Sequence, residues 1–280
     1  MEAFDFYQPR RIGETINGTF TFIRQEFIPM GKSILFIVGP LMLISAIVSN
    51  ASFATQFSPS PEYILSSEYW DNVGILMFLQ LAIYTFLILV INRYVLLYVN
   101  NDDSRFNVQT IFNASIKGFW KIFGITILFT FVIGIAFMIL IVPGIYLSVS
   151  LSLLYAVILQ EKATMGDAFK RSAFLIREYW WFTFGLLILV WIVVYVFQLV
   201  FQGPFILIGF LYGIHETDPD ILADYGWWIS ISTVLSQLSY LFYGIFVVAT
   251  TVHYYSQREK KEAAGLAQKI EALDDSPVTE

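Results

Sequence analysis

The chain has no cysteine. Disulfides, thiolate zinc sites and thiol nucleophiles are therefore excluded, and nothing marks the redox compartment. Histidine is nearly absent as well. His215 and His253 are too few for an all-histidine iron site. Charged residues make up only 14% of the chain. Lys and Arg are missing entirely from 56–72 and 203–226, stretches that hold seven acids: Glu62, Glu68, Asp71, Glu216, Asp218, Asp220 and Asp224. No Asp, Glu, Lys or His falls in the core of a long apolar run. Ion-coupled pumps and intramembrane hydrolases keep ionisable groups at depth despite their cost, so this absence argues against both. No nucleophile elbow, P-loop or dinucleotide fingerprint occurs. No catalytic residue and no cofactor is expected.

What remains is apolar. The chain is 57% hydrophobic with a mean hydropathy of +0.68. Several runs exceed the roughly 20 residues a helix needs to cross lipid. Six spans are predicted, at about 33–54, 73–99, 119–141, 145–160, 181–202 and 227–251, boundaries that carry an error of about 2–4 residues. Val142-Pro143-Gly144 is read as a tight hairpin joining the third and fourth. Trp70, Trp120, Trp180, Trp181, Trp227 and Trp228 fall where spans meet headgroups, as an aromatic belt does, and Trp191 lies mid-span.

The 16 basic residues sort into four clusters of four: Arg10, Arg11, Arg24, Lys32; Arg93, Arg105, Lys117, Lys121; Lys162, Lys170, Arg171, Arg177; and Arg258, Lys260, Lys261, Lys269. Basic residues resist export, so the clustered side should be cytoplasmic. Six spans place both termini there. The N-terminal stretch lacks the order of a cleavable signal peptide, so the first span is expected to stay as an anchor. The basic residues lie beside lipid and are mixed with acids, so no nucleic-acid partner is implied.

An internal repeat underlies this order. Each odd-numbered span follows an amphipathic stretch. The stripes are Ile12, Ile16, Phe20, Ile23, Phe27, then Val108, Phe112, Ile116, Phe119, then Phe169, Ala173, Ile176, Trp180. The expected architecture is all-α and polytopic, with six transmembrane helices as three parallel repeats of in-plane amphipathic helix plus helical hairpin. Residues 1–255 form one membrane domain, with repeats at about 12–99, 106–160 and 165–252. Residues 256–280 form a cytoplasmic tail, which a protein partner could use. Gly203-Pro204 should break the fifth span, leaving 204–214 as an interfacial or re-entrant helix or as an apolar loop packed on the bundle.

Candidate contacts follow from chemistry. Arg93 lies about two turns from the inner end of the second span. It can snorkel to headgroups or hold an anionic lipid or a substrate phosphate. Trp120, Lys121, Lys170, Arg171, Trp180 and Trp181 are further candidates for headgroup or anion contact. His215, Glu216, Asp218 and Asp220 carry ligands suited to a hard cation. They lack the glycine turn and closing glutamate of an EF-hand, so a solvated acidic loop is the simpler reading. Gln80, Gln198 and Gln237 read as interhelical hydrogen-bonding groups, with a polar seam as the alternative.

The run Val142-Pro143-Gly144-Ile145-Tyr146-Leu147, then 153–160, Ala168-Phe169-Lys170-Arg171-Ser172, Leu175, Arg177, Tyr179-Trp180-Trp181 and Gly185 resembles a known module. It is similar to the membrane domain found beside some bacterial glycerophosphodiester phosphodiesterases and to stand-alone inner-membrane proteins of the YciC/UPF0259-type family. The similarity is best over about 106–200. It implies a six-span bundle in a bacterial cytoplasmic membrane. It implies no activity, because the phosphodiesterase chemistry belongs to a separate soluble barrel. The expectation is a non-catalytic membrane scaffold, accessory subunit or lipid-interacting protein. The alternative is a transporter or channel for a small amphipathic or anionic solute.

Overall fold

The structure is a computed structural model and describes residues 3–53, 60–101, 103–214, 220–265 and 267. It is 89% helical, and no strand occurs among the described residues. The helices are α1 (Ile12–Gln25), α2 (Phe27–Ala51), α3 (Ser67–Val99), α4 (Val108–Ile139), α5 (Ile141–Ser150), α6 (Leu154–Gln160), α7 (Met165–Ile176), α8 (Trp180–Ile214), α9 (Asp220–Leu238) and α10 (Tyr243–Glu262). A one-turn helix, Pro61–Ile64, and three 3-10 turns are the other helical elements among the described residues. Six segments are long and apolar enough to cross a bilayer. In lipid only a helix satisfies its own backbone within one segment, so a chain of this composition has little alternative.

Starts are specified locally. Ser66 Oγ accepts from the amide of Tyr69 at 3.3 Å and caps α3. Asn107 Oδ1 accepts from the amide of Gln109 at 2.9 Å and caps α4. Thr164 caps α7 through the amide of Asp167 and also donates to the Asp167 carboxylate at 2.6 Å. Each cap satisfies an amide that has no partner within its helix.

Five expectations need correction. The hairpin between the third and fourth spans turns at Leu140, whose backbone is extended (φ −156°, ψ 142°), and α5 begins at Ile141. Pro143 sits in the first turn of α5, where its missing N–H costs no helical bond. Second, Gly203-Pro204 does not end the fifth span, and α8 runs through it to Ile214. Proline inside a membrane helix is tolerated where neighbouring groups recover the freed backbone.

Third, the second amphipathic stretch is not a separate in-plane helix, because α4 is continuous from Val108 to Ile139. The first is separate, broken from α2 at Glu26 just before Pro29. The third meets its span through the 3-10 turn Arg177–Tyr179. Fourth, the last span is interrupted by the 3-10 turn Ser239–Phe242. Ser232, Thr233, Ser236 and Ser239 all donate their hydroxyls to carbonyls three or four residues back, which strains a helical ladder.

Fifth, the buried face of α1 is Thr15, Gly18, Thr19 and Phe22 rather than the expected stripe. Ile12 and Ile16 pack partly buried beside the Leu186–Val190–Val194 ridge of α8. Phe20 and Phe27 are exposed. Gly18 leaves room for Phe4 and Arg10 of the N-terminal segment, and Phe22 is fully buried on the same face.

α3 is the hub. It packs on α2, α4, α6 and α10, and Ile83, Leu87, Leu89, Val90 and Ile91 are fully buried. The N-terminal segment folds back over one end of the bundle. Phe6 is buried among Phe22, Tyr98 and Tyr255, with ring centroids 5.0–5.8 Å apart. The Arg10 amide donates to Ser256 Oγ at 2.8 Å. The N-terminal segment and the C-terminal half of α10 thus share one end, and α10 stays buried through Gln257 before ending at Glu262.

Candidate functional site

The end that carries the N-terminal segment also gathers the basic residues. Its interior is a linked set of polar groups. Thr251 Oγ1 donates to Asn92 Oδ1 at 3.2 Å. Gln160 Nε2 donates to the Asn92 carbonyl at 3.0 Å, and Tyr255 donates to Gln160 Oε1 at 2.9 Å. Tyr254 donates to Glu161 Oε1 at 2.8 Å. The Arg171 Nε donates to both Glu161 oxygens at 3.1 Å, and its two terminal nitrogens bridge to Glu262, one of them at 2.7 Å. Arg258 adds a 3.5 Å ion pair with Glu262. Bidentate guanidinium–carboxylate pairing is directional, so these contacts lock α7, the end of α6 and α10 together.

A second clasp involves the N-terminal segment. Arg10 donates to the carbonyls of Asp5, Phe6 and Gln8. Burial lowers its proton affinity, while the Asp5 and Glu14 carboxylates oppose that shift. Lys260 Nζ donates to the Arg10 carbonyl at 2.7 Å. Burial also raises the Tyr7 phenol, against the opposing Arg258 charge. Beside this clasp lies a cleft of about 800 Å³ whose lining includes Asp5, Gln8, Arg10, Glu14, Asn17 and Gln25. It presents amides and carboxylates, with the Arg10 guanidinium already bonded to backbone.

The expected contact residues separate into three groups. Trp120, Lys121, Lys170 and Trp181 are exposed, with Trp120 at 72% and Trp181 at 77%. Arg171 is occupied by two carboxylates, and Trp180 is stacked between Tyr146 and Phe184 at 5.7 and 5.4 Å. Arg93 is half-buried, and its Nε is buried with no hydrogen-bond partner among the described residues. His215, Glu216 and Asp218 lie outside the described residues, and of Asp220 only the backbone, opening α9, is described. No group of three or more potential metal ligands occurs among the described residues.

Among the apolar spans, Gln80 Nε2 donates to Gln237 Oε1 at 3.1 Å and to Ser45 Oγ at 3.4 Å. This ties α3 to α9 and α2, the interhelical role expected for these amides. Gln198 is buried, with its Nε2 unpartnered among the described residues.

Sequence reasoning missed the buried side of α10. His253 is fully buried, shares a 2.9 Å hydrogen bond with Thr183 and stacks on Phe182. Gln257, one turn further, is fully buried with neither amide atom bonded among the described residues. Their spacing is a weak signal, because i and i+4 polar residues near a helix end ordinarily face solvent.

No curated protein and no solved structure matches the chain. One family profile does, that of DUF7847, a domain of unknown function, over residues 76–257. The match starts inside α3 and ends in the buried part of α10, so it takes in the hub, the polar interior and five of the six spans. Since it covers well over half of its length, this multi-pass membrane chain belongs to the DUF7847 family.

Proposed function

We propose that this protein is a non-catalytic integral membrane scaffold or accessory subunit whose basic end grips an anionic lipid leaflet. The observation that carries the reading is a division of labour among the basic residues. Arg10 and Arg171 are bonded within the fold, whereas Lys121 and Lys170 are exposed, as are the rings of Trp120 and Trp181. Indoles at the headgroup level with lysines alongside add burial to attraction for anionic lipid. The basic end then lies in the cytoplasm with both termini, in a bacterial cytoplasmic membrane. A partner would dock on this face or on the tail. Gentle extraction tests the reading: a partner or anionic lipid should co-purify, and recovery of a lone, lipid-free monomer would refute it.

A second reading is a transporter or channel for a small amphipathic or anionic solute. It draws on buried amide atoms inside the spans that lack partners among the described residues, Gln80 Oε1 and Gln198 Nε2. Solute flux in proteoliposomes that Gln198→Leu abolishes would support it. Equal flux in protein-free vesicles would remove it.

A further inference from the structure

Arg93 differs from the other arginines embedded in the fold. Arg10 is bonded to three carbonyls, Arg171 to two carboxylates, and Arg258 is paired with Glu262. Arg105 stacks over Tyr98 and Phe106, at 5.0 and 4.6 Å from the ring centroids. Arg93 has no ion pair, hydrogen bond or ring contact among the described residues, and its Nε is buried. A guanidinium taken partly out of water without a counter-charge is costly, so its persistence asks for a partner from outside the chain.

Depth and shape say what that partner is. α3 has 33 residues, so it is about 50 Å long at 1.5 Å per residue, against a hydrocarbon core of about 30 Å. Arg93 lies six residues before Val99, the last residue of α3, or about 9 Å along the axis. That places it where hydrocarbon gives way to headgroups. Across from it, α4 has a notch at Gly118. A Cβ there would meet Leu89 at 3.2 Å and an Arg93 terminal nitrogen at 3.9 Å, so the guanidinium lies against the α4 backbone in the groove between the two helices. Lys117 adjoins the notch, Lys121 follows one turn on, and both are exposed, as is Trp120. No acid occurs anywhere in α4.

We propose that this groove is a binding site for a phosphoryl group, with Arg93 as the floor and Lys117 and Lys121 at the rim. The planar guanidinium fork matches two phosphate oxygens, which a lysine ammonium does not. The proposal rests on the reading that the basic end engages an anionic leaflet, and it assigns that engagement to one seat. A phosphodiester lipid headgroup and free phosphate share the required chemistry, and the position at the hydrocarbon edge favours the lipid.

The test uses the full-length protein in nanodiscs of phosphatidylcholine doped with phosphatidylglycerol, with bound lipid read by native mass spectrometry after release. Wild type should retain phosphatidylglycerol over phosphatidylcholine. Arg93→Lys keeps a charge that can snorkel but loses the fork, and should lower that retention by about tenfold. Lys121→Gln, on an exposed position that cannot unfold the bundle, should lower it by a smaller factor. Arg177→Gln, on the exposed 3-10 turn that follows α7, should leave the Arg93-dependent fraction unchanged. Inorganic phosphate at millimolar concentration separates the sources: displacement of the lipid identifies a free-anion seat, and resistance identifies a lipid headgroup seat. If Arg93→Lys and Lys121→Gln both retain as much as wild type, the groove is not the site, although leaflet engagement stands. If wild type itself shows no preference for phosphatidylglycerol, leaflet engagement fails with it.

Discussion

At Gly144 the fold depends on a missing side chain. A Cβ there would come within 2.6 Å of the Phe137 ring, which closes the hairpin between α4 and α5. Gly144→Ala should therefore destabilise the protein by about 1–3 kcal/mol through overpacking, read as a lower midpoint in thermal unfolding from mild detergent. Gln257 offers the opposite case. Both of its amide atoms are buried without partners among the described residues, so burial costs it and no bond there repays it. Gln257→Leu should be neutral or should raise the unfolding midpoint. A clear drop would show that the amide is satisfied by something bound. Gln257 does not stand out in the sequence. Gly144 does lie in the conspicuous Pro-Gly pair, but the turn it suggests falls at Leu140, because proline and glycine both fit a first helical turn packed against an aromatic ring.

Among elements, α10 depends on contacts from distant parts of the chain. Its outer turns are held by Arg171 of α7 through Glu262 and by Arg10 through Ser256 and Lys260. Arg171→Met removes the pairing of Glu161 and half of that of Glu262, with Arg258 still beside the latter. The arginine is partly solvated, so the expected loss is about 1–2 kcal/mol, concentrated in faster amide exchange over 254–262. The N-terminal segment should behave as its own unit. Phe6→Ala removes a buried ring from a cluster of Phe22, Tyr98 and Tyr255. Truncating a buried phenylalanine typically costs about 3–5 kcal/mol, and here the segment should detach before the bundle unfolds. Limited proteolysis near residue 8 with the spans still protected is the expected outcome, and loss of the whole bundle would contradict it.

For the whole molecule, orientation is the exposed claim. The chain has no native cysteine, so single substitutions report topology directly. Ser60→Cys, at the acid-bearing end, should react with an impermeant maleimide in intact cells, and Ser104→Cys, beside the basic cluster, should not. Labelling at Ser104 alone would invert the map and, with it, the assignment of the lipid-binding face.

The number, order and approximate limits of the spans were legible in the sequence, because in lipid the requirement for an unbroken apolar helix acts on each segment by itself. The sorting of charge was legible as well, because it is a matter of order along the chain. Other features were decided by packing. The continuation of α8 through Pro204, the rotation of α1 onto its Thr15–Gly18–Thr19–Phe22 face, and the capture of Arg171 by Glu262, 91 positions away, depend on partners far along the chain. Local composition cannot show which basic residue is neutralised within the fold and which is left open. Only the tertiary structure made that division, and it singled out Arg93.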